Sequence, residues 1–303
     1  MFREILVPLD GSPLAEHALP FAVSIAMKTG ATVHVVLVHV PDAYGEYAAP
    51  HSDDFDMEAK AREKAYLDAL GGRLAKAFKG TIQIHHLEGI VQETLVEEVA
   101  ERGVDLVVMS AHGWGYSSRA LLGSVSDYLM RHLGVPMLLM HSEVGMTELN
   151  RPLSFRRILI PLDGSELAEA MLEPALALGA LWNAEYRYVR VMGPPSHHLT
   201  GSLGDEPHAP HQGIVDATTR HWAAYLEKMA HRLRKQSLTV ETHVRVSRKV
   251  AAAILEEATT TGCDLIAIST HGRGGLSRLL RGSVADKVVR GANTPVLVYR
   301  PDG

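Results

Sequence analysis

The α/β class, as two tandem open doubly wound parallel-sheet domains, is predicted by three observations. Apolar runs of strand length alternate with Ala-, Leu- and Glu-rich stretches of helical period along the whole chain, as in successive βαβ units. The phrase Val7-Pro8-Leu9-Asp10-Gly11-Ser12 returns as Ile160-Pro161-Leu162-Asp163-Gly164-Ser165. A glycine-rich phrase also recurs: His112-Gly113-Trp114-Gly115 running to Gly123-Ser124-Val125, and His271-Gly272-Arg273-Gly274 running to Gly282-Ser283-Val284. A length of 303 residues gives each copy room for its own core, and the predicted bounds are 1–145 and 154–303.

In the first half the strands are expected at Glu4 to Leu9, Val33 to Val40, Thr81 to Leu87, Val104 to Met109 and Pro136 to Met140. Each is an apolar run suited to a buried parallel strand. Between them Pro13 to Lys28, Met57 to Phe78, Val91 to Arg102 and Gly123 to Leu133 carry apolar residues at three-to-four spacing and read as helices. The second half repeats the order, with strands near Arg157 to Leu162, Ala184 to Val191, Thr239 to Val246, Asp264 to Ser269 and Pro295 to Tyr299. Its long helix places Ile214, Thr218, Trp222, Tyr225, Met229 and Leu233 on one face, so those aromatics read as core rather than as a ligand cage. Aspartate and last loop glycine are 113 residues apart in the first half (123 − 10) and 119 in the second (282 − 163). The surplus is assigned to Met192 to Gln212, a Pro-, Gly-, Ser- and His-rich stretch without apolar period that reads as a loop.

In such sheets ligands bind beyond the carboxyl ends of the strands, where strand order reverses. The glycine phrases follow the fourth strand of each half and open a helix at their Gly-Ser end, which makes an anion cradle of close-approaching amides and a positive helix terminus. No lysine follows Gly123 or Gly282, which excludes a Walker loop. Asp10 and Asp163, each after an apolar strand, accept hydrogen bonds from a sugar or cap the next helix. Ser124 and Ser283 contact phosphate or cap. His112 and His271 lack a partner at catalytic spacing and read as structural or weakly phosphate-contacting, and Arg119 and Arg278 as phosphate-balancing or merely solvated.

Net charge is −5 and the pI about 6.4, with no Lys/Arg block, so nucleic acid is not an expected partner. The one cysteine, Cys263, excludes an intramolecular disulfide and reads as packing. The sequence has neither a signal peptide nor an 18-residue apolar run, so the expected location is the cytoplasm, with no membrane partner. His197, His198, His208 and His211 raise the question of a transition metal, but without Cys or carboxylates at ligand spacing they read as a plain loop.

Taken together, the two Pro-Leu-Asp-Gly-Ser phrases, the two His-Gly loops ending in Gly-Ser-Val and the closing strands after Val135-Pro136 and Thr294-Pro295 resemble the universal stress protein family as two fused copies. The resemblance implies Rossmann-like domains of the adenine nucleotide alpha hydrolase-like type, usually paired into dimers through the last strand. It implies ATP as ligand, with or without Mg2+. The family's loop opens with glycine where this chain has Ser110 and Ser269, followed by Gly113, Gly123 and Ser124 or by Gly272, Gly282 and Ser283. The remaining implied contacts are Pro8, Asp10, His112 and Val125 in the first half and Pro161, Asp163, His271 and Val284 in the second. Main chain at Val40 and Val191 would meet the adenine edge. Because Trp114 and Tyr116 crowd the first loop, the second site is the one expected to fill if only one does.

The function implied is an adenine-nucleotide-binding stress-response regulator in which the nucleotide is a structural or signalling ligand, working as a homodimer with an unidentified protein partner. Two rivals stand beside it: a slow ATP hydrolase, which lacks a recognisable base, and a nucleotide-free interaction scaffold whose pockets Ser110 and Ser269 have closed. No catalytic residue is expected.

Overall fold

The computed structural model describes residues 2–41, 52–111, 122–141, 149, 153–194, 212–270 and 283–301. The first half runs β1 (Glu4–Leu9), a 3-10 turn (Ala15–Ala18), α1 (Leu19–Thr29), β2 (Thr32–His39), α2 (Ser52–Ala77), β3 (Ile82–Glu88), α3 (Val91–Glu101), β4 (Leu106–Ser110), α4 (Ser124–His132) and β5 (Met137–Met140). The second runs β6 (Arg157–Pro161), α5 (Glu166–Ala170), α6 (Leu172–Ala180), β7 (Glu185–Met192), α7 (Gln212–Arg234), β8 (Val240–Val246), α8 (Val250–Thr260), β9 (Leu265–Ser269), α9 (Ser283–Gly291) and β10 (Val296–Tyr299).

These strands form one ten-stranded sheet in the order β3-β2-β1-β4-β5-β10-β9-β6-β7-β8. Within each half every pairing is parallel, and the chain returns past β1 to β4 and past β6 to β9, so strand order reverses between those neighbours. At the seam β5 and β10 pair antiparallel, Leu297 opposite Leu138 and Val298 opposite Met137. The expected pairing through last strands is therefore made inside one chain, and that strand edge is consumed. A homodimer built through the last strand has no free edge to use.

Burial follows from this arrangement. The strands are apolar on both faces because helices cover both. One core gathers Ile5, Val7, Leu138 and Leu297 with α1, α2, α6 and α7; the other gathers Leu6, Val107, Leu139 and Val296 with α3, α4, α8 and α9. Both cores run through the two halves. Phe155, leading into the second half, stacks on Phe21 of α1 and meets Trp182 edge-on, and His141 Nε2 lies 2.5 Å from the Val289 carbonyl.

Two departures from the sequence expectation have local causes. The fourth strands begin at Leu106 and Leu265, because Asp105 and Asp264 turn their carboxylates back to accept the amides of Arg3 and Glu4, and of Arg156 and Arg157. Each aspartate thereby pins the start of its half's first strand. In α7 the buried stripe is Leu226, Met229, Ala230 and Leu233, while Ile214 is exposed and Trp222 and Tyr225 only half-buried. Trp222 packs over the turn at Gly164 and under Arg190, whose guanidinium carbon is 4.1 Å from the ring centre.

Candidate functional site

Beyond the carboxyl ends of β1 and β4, at the reversal of strand order, a cleft of about 240 Å³ opens. Its floor and one wall are aliphatic: Val36 and Val38 of β2, Met109 of β4, and Val91 and Leu95 from the first turns of α3. The other side is polar, with Pro8, Asp10 and Ser110 at the strand ends and Gly123, Ser124, Val125 and Ser126 at the start of α4.

The carboxylate is set by the turn that follows β1. Gly11 takes φ +78°, a left-handed conformation that glycine adopts without strain, and brings the Ser12 amide 2.9 Å from Asp10 Oδ1. Ser12 Oγ in turn accepts the Ala15 amide at 3.1 Å. Capping thus falls to the serine, and Asp10 is held at the mouth of the cleft, exposed. The second half repeats the device: Gly164 has φ +87°, Asp163 Oδ1 accepts the Ser165 amide at 2.9 Å and its hydroxyl at 2.5 Å, and Ser165 Oγ caps α5 through the Ala168 amide. There the carboxylate also acts on the Arg190 guanidinium; burial lowers that group's pKa and Asp163 opposes the shift.

Opposite Asp10 the loop closes on the helix. The Gly123 amide donates to the Ala111 carbonyl at 2.9 Å, and the Ala111 amide to Met140 at 2.8 Å, so the end of β4 and the start of α4 are tied to β5. Gly123 is extended and Ser124 begins the helix, with the Asp127 amide bonded to the Gly123 carbonyl. Ser126 Oγ reaches the carbonyls of Ser110 and Ala111, both at 3.3 Å, and fixes the first turn against the strand. The amides of a helix's first turn have no partner within the helix, so Ser124, Val125 and Ser126 face the cleft with hydrogen-bond donors and the positive helix end. Ser110 itself is 7% exposed and lines the cleft, so its side chain occupies a position next to any ligand.

Pro8, Asp10, Ser110, Gly123, Ser124 and Val125 all line this one cleft. Val40 is not among them: β2 ends at His39, and Val40 beyond it is 46% exposed. The ladders pair Pro8 with Val36 and Pro161 with Val189, so Val191 is level with Val38, the residue that does line the cleft. The side chains of Val36, Val91, Leu95 and Met109 were missed; their apolar runs signalled burial, and nothing local distinguishes a strand side chain over a cleft from one under a helix. In the second half Pro161 ends β6, Asp163 follows it, Val191 lies in β7, Ser269 ends β9, and Ser283 and Val284 open α9. His112, Gly113, His271, Gly272, Gly282, Arg119, Arg278 and the histidines of 197–211 lie outside the described residues.

Cys263 is buried, and burial pushes its thiol pKa up, which agrees with a packing role. Among the described residues no helix is long and apolar enough to cross a membrane.

Comparison with known proteins adds three findings. The profile of the universal stress protein family matches residues 1–141 and again 154–300. A universal stress protein of Mycolicibacterium smegmatis is 28% identical over 98% of this chain and 97% of its own length. The crystal structure of a universal stress protein from Archaeoglobus fulgidus superposes with a TM-score of 0.73 over 99% of this chain and 98% of that one, at 18% identity; a putative universal stress protein from Pseudomonas aeruginosa gives 0.67 over 99% and 94%, also at 18%.

Proposed function

The chain belongs to the universal stress protein family, as two copies in one polypeptide, and from that premise we propose that its first-half cleft binds an adenine nucleotide, ATP with or without Mg2+, as a structural or signalling ligand in a stress response. One observation carries the reading: a single cleft at the strand-order reversal joins an aliphatic slot, a carboxylate and a helix N-terminus. Those three surfaces suit, in the same order, a flat purine, a pair of ribose hydroxyls and a phosphate chain. Asp10 is the proposed ribose acceptor; Ser124, with the amides of Val125 and Ser126, the proposed phosphate shell. Ser110 lies where its hydroxyl and Cβ border the sugar.

We extend the proposal to the second half, where Pro161, Asp163, Val191, Ser269, Ser283 and Val284 take the corresponding positions. A partner protein reading the nucleotide-bound state, and a cytoplasmic setting, belong to the same proposal. Any homodimer would form through a surface other than the last strands, which already pair with each other.

The test is a titration of the full chain with Mg-ATP, adenosine and tripolyphosphate beside Val38→Trp, which fills the aliphatic slot. ATP is expected to bind more tightly than either fragment, and Val38→Trp to remove the first-half equivalent of bound ATP and adenosine while the protein stays folded. ATP bound equally by wild type and Val38→Trp would remove this cleft from consideration.

A further inference from the structure

On the opposite face of the sheet from the cleft, three imidazole and carboxylate groups converge that the nucleotide reading does not use. Successive strand residues face opposite sides, so His39, next to Val38, turns away from the cleft toward α2. There His39 Nδ1 is 2.9 Å from Glu63 Oε2, and His86 Nε2 of β3 is 2.7 Å from the same oxygen. All three donor atoms lie within 4.8 Å of one another. The far side of His39 is held too: its Nε2 is 2.7 Å from Asp56 Oδ1, and Lys60 bridges Asp56 and Glu88 at 3.0 and 2.9 Å.

We propose that His39, Glu63 and His86 form a binding site for a first-row divalent transition-metal ion of the Zn2+ type. Two imidazole nitrogens and one carboxylate oxygen are a borderline donor set that suits such ions rather than Ca2+ or Mg2+. Metal–nitrogen bonds of about 2.0–2.1 Å in a tetrahedron separate the donors by roughly 3.3 Å. The two contacts on Glu63, at 2.9 and 2.7 Å, therefore need to widen by only a few tenths of an ångström to admit an ion in place of the protons between them. Asp56 supplies the outer support that metal-bound histidines characteristically have: accepting from Nε2–H, it fixes the tautomer that leaves Nδ1 for the metal.

The set is anchored and reachable. Its members come from β2, β3 and α2, and His39 is 4% exposed, so the geometry is held by the sheet and its covering helix. The side chains of Glu63 and His86 are about a quarter exposed, and a cleft of about 250 Å³, lined by His39, His86, Lys60 and Glu88, adjoins them. That leaves a route in and a fourth position for water.

The internal repeat supplies a comparison. The strand ladders align His39 with Met192 and His86 with Val244, so the second half holds no such donors at these positions. Fold maintenance at this place is thus met by apolar residues, and the polar set belongs to the first half alone.

The test uses the full chain with His197, His198, His208 and His211 changed to serine, so that these histidines contribute nothing, and no nucleotide. After chelation it is titrated with Zn2+ against a chromophoric chelator, and with Co2+ for its visible absorption. One equivalent of Zn2+ is expected, with release of close to one proton per ion and Co2+ bands of a four- or five-coordinate nitrogen/oxygen site. His86→Ala and Glu63→Gln, each shown to be folded by circular dichroism, are expected to weaken binding at least tenfold. Absence of stoichiometric Zn2+ binding in the His-to-Ser chain, or an affinity in both variants equal to that of the intact site, overturns the assignment. Loss of ATP binding with Zn2+ binding intact would refute the nucleotide reading and leave this one standing.

Discussion

Replacing Asp10 with alanine isolates the chemistry proposed for the cleft. The carboxylate sits at the mouth, fixed by the Ser12 amide at 2.9 Å, so its second role in the complex is to accept from ribose hydroxyls. A hydrogen bond to a charged group contributes about 1.5–3 kcal/mol, so Asp10→Ala is expected to weaken ATP binding at the first-half cleft roughly 10- to 100-fold. Thermal unfolding reads this out independently. At a ligand concentration about a hundredfold above Kd, filling the first-half cleft adds about 2.7 kcal/mol in wild type, whereas a cleft bound a hundredfold more weakly adds about 0.4 at the same concentration. At about 2 °C per kcal/mol for a chain of this size, the shifts are roughly 5 °C against less than 1 °C. Ser12→Ala is the control, since it removes the cap on Ala15 while keeping the carboxylate, and its ATP affinity should match wild type. Calorimetric titration giving folded Asp10→Ala the wild-type affinity would refute the ribose assignment.

Three further outcomes are expected. Glu257 is buried and accepts from Arg187, His243 and Arg245 at 2.7, 2.8 and 3.3 Å, so Glu257→Ala should cost about 3–5 kcal/mol in a urea titration by breaking this network and leaving Arg187 only its more exposed partner Glu241. Burial opposes its ionisation, but the bonds from His243 and Arg187 outweigh that and lower its pKa. Its contribution is therefore full above the ordinary carboxylate range and fades as pH falls through the lowered value, so the gap to the variant should close in acid; a gap that widens there contradicts the sign. Leu297→Ala, fully buried opposite Leu138 at the seam, should cost about 2–5 kcal/mol and still unfold in one transition, with tryptophan fluorescence and far-ultraviolet circular dichroism coincident. Two separate transitions would mean the halves do not share their cores. Cys263, 4% exposed with a raised thiol pKa, should resist a thiol reagent until the chain unfolds; rapid labelling of native protein would contradict the packing.

What was legible in the sequence was whatever a periodic or repeated local signal encodes. The run from Glu4 to Leu9 became β1 at those limits, because the apolar stretch Ile5 to Leu9, followed by Asp-Gly-Ser, has one stable use in an α/β fold. Long-range geometry was not encoded in that way. Whether a last strand pairs with its own repeat or with another chain leaves the same apolar signature in Met137–Met140 and Val296–Tyr299. The equivalence of Val191 with Val38 rather than Val40 depends on strand register, which the ladder sets. The donors His39, Glu63 and His86 are separated by a helix and a crossover, and no spacing rule joins them. Conversely, Asp105 and Asp264 could have been found, since an aspartate before the fourth strand is itself part of the repeat.

The antiparallel seam between β5 and β10 reverses the direction of every strand in one half relative to the other. The two strand-order reversals therefore face opposite ends of the sheet, with four strands between them. Tethering also makes this seam independent of concentration: dilution cannot separate the two halves.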